Sequence, residues 1–215
     1  MKNDKFLQET EFLDFNSMEI KAFLLEVPNF SDKVELAKHL YFKVRDGFLY
    51  DPFHLDLRES ALKSSVIYKH KRAWCVEKSI ILASVSRFFG IPSRLGFAIV
   101  KNHVGIEKLV SFLKKDEIVF HGYVELFLNG KWIKCTPAFD KKVCWISGVN
   151  PLDWDGENDS LFQEFENNKK YMEYIHFYGT FDDVPIDLMN SEMKKHYPHL
   201  FEKEWNTKEF SFFHK

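Results

Sequence analysis

The chain has 215 residues, 45% of them hydrophobic and 29% charged, values that exclude collagen-like, mucin-like and disordered chains. Its 30 Lys plus Arg against 32 Asp plus Glu leave a formal charge of -2, so no global field draws it to nucleic acid or an anionic membrane. The length predicts a single domain over 1–215 with one sizeable core, filled by an unusual 23 Phe.

From Met1 to Thr10 charges occur throughout, without the apolar stretch of a signal peptide, and no run approaches the roughly 18 apolar residues of a membrane span. A helix is predicted from Asp32, where Glu35 completes a capping-box spacing and Val34, Ala37, Leu40, Tyr41 and Val44 form one apolar stripe before Gly47. A second helix is expected over about Glu59 to Tyr68, closed by the basic run Lys69-His70-Lys71-Arg72. The most apolar helix runs from Cys75 to Phe89, coated on more than one face and therefore central; Gly90 and Pro92 end it.

Strands are predicted over Arg94 to Val100, Ile118 to Leu128 and Lys131 to Thr136, the last two joined by Asn129-Gly130 as a hairpin. A two-residue turn pairs Leu128 with Lys131 and Glu125 with Lys134. It places His121, Tyr123, Glu125, Trp132, Lys134, Thr136 and Ala138 on one face and Phe120, Val124, Leu126, Ile133 and Cys135 on the other. Glu125 and Lys134 are expected to form a cross-strand ion pair. Beyond Asp140 a strand over Tyr171 to Tyr178 and a helix after Asp183-Val184-Pro185, stopping before Pro198, complete the reading.

Three cysteines, Cys75, Cys135 and Cys144, are too few for a disulfide framework and lack zinc spacing with histidine. A reducing compartment, a cytoplasmic location, no metal and no cofactor are therefore expected. Cys75 opens a buried helix, where unpaired N–H groups and the helix dipole favour thiolate. A thiolate nucleophile needs an imidazole, and His121, mid-strand among apolar neighbours, is the candidate. The backbone N–H of Cys75 is the expected oxyanion donor.

The run Trp74-Cys75-Val76-Glu77-Lys78-Ser79, followed by Arg87-Phe88-Phe89-Gly90-Ile91-Pro92-Ser93-Arg94, resembles the core of the transglutaminase-like superfamily. So does His121-Gly122-Tyr123-Val124-Glu125 followed by Asn129-Gly130-Lys131-Trp132. The resemblance covers about 31–140, with 141–215 as a C-terminal extension in which Pro151 to Gly156 and Tyr171 to Asp183 loosely resemble the C-terminal part of bacterial transglutaminase-like cysteine peptidases. It implies an α+β, papain-like fold with the cysteine helix packed on an antiparallel β-sheet, and acyl transfer on amides of a peptide or protein. The sequence departs from the family at Ala73, where glycine is common, and at Thr136, where the family's acid stands four residues after the strand tryptophan. Thr136 is left as a neutral acceptor for the imidazole, with Asp140 as a substitute acid by strand parity. Trp74, His103 and Tyr123 are the candidate substrate-binding residues.

Two functions compete. In the first, Cys75 and His121 form a thioester that water resolves in a peptidase or amidase, or an amine in a transglutaminase. In the second, the loss of the family acid leaves a peptide- or protein-binding scaffold. Nucleic acid is not an expected partner, since a basic face with aromatic platforms is not evident.

Overall fold

The computed structural model describes residues 4–102, 107–161, 164–165, 169–170 and 172–202. Helix α1 (Met18–Leu24) starts at Ser17, whose side chain accepts from the Ile20 N–H, and buries Ile20, Phe23 and Leu24. Helix α2 (Lys33–Gly47) starts where the capping signal predicts, with Asp32 accepting from the N–H groups of Val34 and Glu35. Its stripe is buried from Ala37 through Leu40, Tyr41 and Val44, with Val34 partly buried. Next, β1 (Leu49–Tyr50) pairs in parallel with β2 (Arg72–Ala73).

Between those two strands the expected helix over Glu59 to Tyr68 is split into a 3-10 turn, Glu59–Ala61, and α3 (Ser64–Lys69). The break has a tertiary cause: the Ser64 N–H bonds to the Phe12 carbonyl, so it is taken from outside the helix.

Helix α4 (Cys75–Phe88) is buried along almost its whole length, as its all-round apolar coat requires. It ends at Gly90, which has φ +69°. Strands β3 (Ser93–Asn102), β4 (Glu117–Leu128) and β5 (Lys131–Cys135) follow, with α5 (Glu107–Leu113) inserted between β3 and β4. After α6 (Lys141–Ser147) and the short ladder of β6 (Glu164–Phe165) with β7 (Lys169–Lys170), β8 (Met172–Phe181) completes an antiparallel sheet in the order β5-β4-β3-β8. Helix α7 (Ile186–His196) and a 3-10 turn, Pro198–Phe201, close the described chain. The result is an α+β fold in which α4 lies against β4 and β3 of the antiparallel sheet, the arrangement expected from the sequence.

The hairpin register is as predicted, Leu128 with Lys131 and Glu125 with Lys134. The expected ion pair between the latter two does not form. The Glu125 carboxylate instead accepts from Arg94 Nε at 2.7 Å, and Lys134 faces Asp159. Arg94 is the register partner of Glu125 on β3, and its rigid guanidinium fork fits a carboxylate better than a flexible ammonium does.

Candidate active site

Cys75 is the first residue of α4, and the Glu77 carboxylate accepts the Trp74 N–H just before it. Burial pushes the Glu77 carboxyl up to about 8, helped by the neighbouring Asp56 and Asp51. The strand bearing His121 reaches the helix because residue 122 is glycine. A Cβ there would lie 2.9 Å from Val76 Cα, 3.0 Å from Ser79 Oγ and 3.1 Å from the Cys75 carbonyl oxygen. The backbone N–H groups of Gly122, Val76 and Cys75 itself act to lower the Cys75 thiol.

These three donors favour thiolate, as the helix-start argument expects, yet burial outweighs them. Cys75 is 1% exposed, and desolvation pushes its thiol up to about 11. The expectation of a resting thiolate is thus corrected: a charge with so little water around it costs more than three partial charges return.

His121 is fully buried on β4. Its Nε2 lies 3.4 Å from Thr136 Oγ1, a long contact, while the Thr136 hydroxyl also lies 3.2 Å from the Gly122 carbonyl oxygen and donates to it. A hydroxyl has one proton; with that proton on the carbonyl, Oγ1 can only accept from the ring. Nε2 therefore carries the hydrogen, and Nδ1 is a bare lone pair, buried without a hydrogen-bond partner. The Thr136 carbonyl lies 3.0 Å from the Tyr41 hydroxyl, whose single proton is shared between it and the Leu152 carbonyl at 2.8 Å.

Burial pushes the His121 imidazole down to about 4. The unfolded chain therefore takes up this proton first as pH falls. The contribution to stability is fully present above about pH 6.5 and is lost between about 6.5 and 4, roughly 3 kcal/mol in all. Urea unfolding at pH 7 and pH 4 should show that extra acid loss in the native chain and not in His121→Asn; equal slopes would refute it.

Asp140 does not serve as the substitute acid. Its Oδ1 caps α6 by accepting from the N–H groups of Lys142 and Val143, and its Oδ2 accepts the Tyr50 N–H at 2.6 Å. The strand ends at Cys135, so the parity that pointed Asp140 at His121 does not extend that far. Its place is secured by Lys78, a fully buried lysine whose Nζ donates to the carbonyls of Arg45 and Ala138 at 2.8 Å each. Desolvation pulls that ammonium down to about 7.

A cavity of about 20 Å³ reaches Cys75, walled by Trp74, Leu55, Leu109, Ile118, Met193 and Tyr197 among others. It has room for about one water molecule and for no acyl group. Trp74 lines this cavity, 3% exposed, with its indole N–H buried without a hydrogen-bond partner. Tyr123 does not line this cavity. Its ring covers Gly96, filling the space a side chain would take there, and packs edge-on against Tyr174 and Phe177. His103 lies outside the described residues. Sequence reasoning missed Tyr50, Leu55, Met193 and Tyr197, which carry no signal of function in their own neighbourhoods. Among the described residues no helix is long and apolar enough to cross a membrane.

A sequence model of the transglutaminase-like superfamily matches residues 25–137, just over half of the chain. No curated protein matches the sequence. Among solved structures, the crystal structure of a candidate cysteine protease from Cytophaga hutchinsonii aligns with a TM-score of 0.46 at 12% identity. The alignment covers 63% of this chain, which spans 42% of the length of that one.

Proposed function

The chain belongs to the transglutaminase-like superfamily, and on that premise we propose that it is a thiol acyl-transfer enzyme acting on amide bonds, with Cys75 as nucleophile and His121 as its base. The observation that supports this reading is the close approach of β4 to the start of α4 at Gly122, the residue after His121. No hydrogen bond joins the Cys75 sulfur to the His121 ring, whose Nδ1 is buried without a partner, so the two side chains must approach for the transfer.

The proton of the Cys75 thiol passes to Nδ1 as sulfur bonds to the carbonyl carbon of the amide. The oxyanion takes a hydrogen bond from the Cys75 backbone N–H. Collapse breaks the C–N bond, and the imidazolium returns the proton to the departing amine, leaving a thioester. Water or an amine then gives up a proton to Nδ1, attacks the thioester, and releases the thiol.

The small size of the cavity and the neutral acceptor at position 136 favour the second reading, a binding scaffold. Prolonged incubation with p-nitrophenyl acetate separates the two. The enzyme reading expects a hydroxylamine-labile acetyl group mapped by mass spectrometry to the Cys75 peptide and missing from His121→Ala. Acetylation scattered over lysines with none on Cys75 would leave the scaffold.

A further inference from the structure

Resting on the reading of Cys75 as nucleophile, we propose that α7 and the turn after it form an autoinhibitory lid over the thiol, latched by Tyr197. The walls of the thiol cavity come from both sides of the chain: Trp74 and Leu55 before β3, Leu109 from α5, and Met193 and Tyr197 from the C-terminal end of α7. With Cys75 1% exposed and room for a single water, an amide substrate cannot reach the sulfur while α7 is docked.

The latch exists because of an irregularity in the sheet. The β3–β4 register shifts between Ala98 and Val100, leaving Val119 and Phe120 without partners on β3, and Phe120 takes φ +61°. Such a bulge frees backbone groups that a regular ladder would use. Tyr197 takes up the one at Val119: its hydroxyl accepts from the Val119 N–H at 2.7 Å, and it donates to the carbonyl of Glu117, the first residue of the strand, at 2.7 Å. The phenol ring itself is buried. His199 Nε2, in the turn after α7, lies 2.9 Å from the Phe112 carbonyl of α5, so the two covering elements are tied together.

The lid also has somewhere to go. A cavity of about 810 Å³ lies between α7 and the segment around Leu55 to Glu59, bordered by Ile186, Asn190 and Lys194, and it shares Leu55 with the thiol cavity. Tilting α7 would join the two into one path of the size that small ligands occupy. The other end of the lid is anchored, since Arg87 donates to the Asp182 carbonyl just before it. The C-terminal end is therefore the part that releases.

Iodoacetamide labelling of the full chain, read cysteine by cysteine by mass spectrometry, tests this. Cys135 and Cys144 are both buried and report general loosening. Native Cys75 should react at least about tenfold more slowly than free glutathione, and Tyr197→Phe should speed it roughly ten- to a hundredfold while Cys135 and Cys144 stay protected. Native labelling at the glutathione rate, an unchanged rate in Tyr197→Phe, or a parallel rise at all three cysteines would overturn the lid. If Tyr197→Phe labels fast yet accepts no acetyl from p-nitrophenyl acetate at Cys75, the lid stands and the acyl-transfer reading fails.

Discussion

On the proposed mechanism Cys75→Ala is expected to abolish acyl-enzyme formation and turnover, and His121→Ala to lower kcat/KM by roughly 10²- to 10⁴-fold. The two losses differ in kind. Without sulfur there is no atom to form the thioester, whereas without the imidazole the thiol remains but must ionise unaided with its equilibrium pushed up to about 11. Thr136→Val is expected to cost less, about tenfold, because the 3.4 Å contact orients a neutral ring and stabilises imidazolium weakly. Its signature is a fall in kcat with KM unchanged. Steady-state kinetics on a peptide anilide, with circular dichroism to show that each variant folds, decide the matter. Turnover surviving in Cys75→Ala would end the assignment.

Gly122→Val destabilises the protein by about 3 kcal/mol and displaces His121 from the helix start. The Cβ of any side chain at 122 would stand 2.9 Å from Val76 Cα, and that atom is backbone of the buried central helix, which cannot swing aside as a side-chain tip could. The strand must move instead, carrying the Gly122 N–H away from the sulfur. For a chain of this length the thermal midpoint should fall by roughly 6–12 °C, with Cys75 labelled faster at temperatures where the variant is still folded. A midpoint within a degree of native would mean that β4 has room to shift, and that the close approach does not fix the site.

Some of this was legible along the chain. Asp32 and its stripe placed α2, the all-round apolar coat placed α4 at the centre, and Asn129-Gly130 set the hairpin register residue by residue. Each is a local signal, in which neighbours within a few positions settle the outcome. Short helices were harder. The seven-residue elements α1, α5 and α6 each repeat an apolar pair at helical spacing for less than two turns, too few to stand out. The break between Glu59–Ala61 and α3 depends on Phe12, some fifty positions away.

The sequence by itself determined which residue types were at hand for the chemistry: a cysteine at a helix start, a histidine beside a glycine on a strand, and a threonine in place of a carboxylate. Only the tertiary structure decided their state. Whether a thiol is charged depends on the water left around it, and the residues that line the space at Cys75 include Met193 and Tyr197, more than a hundred positions away. Likewise Asp140 has the right parity on paper, but its carboxylate is used up by Tyr50, Lys142 and Val143. Partners such as these meet only when the chain closes on itself, so nothing in the spacing of residues announces them.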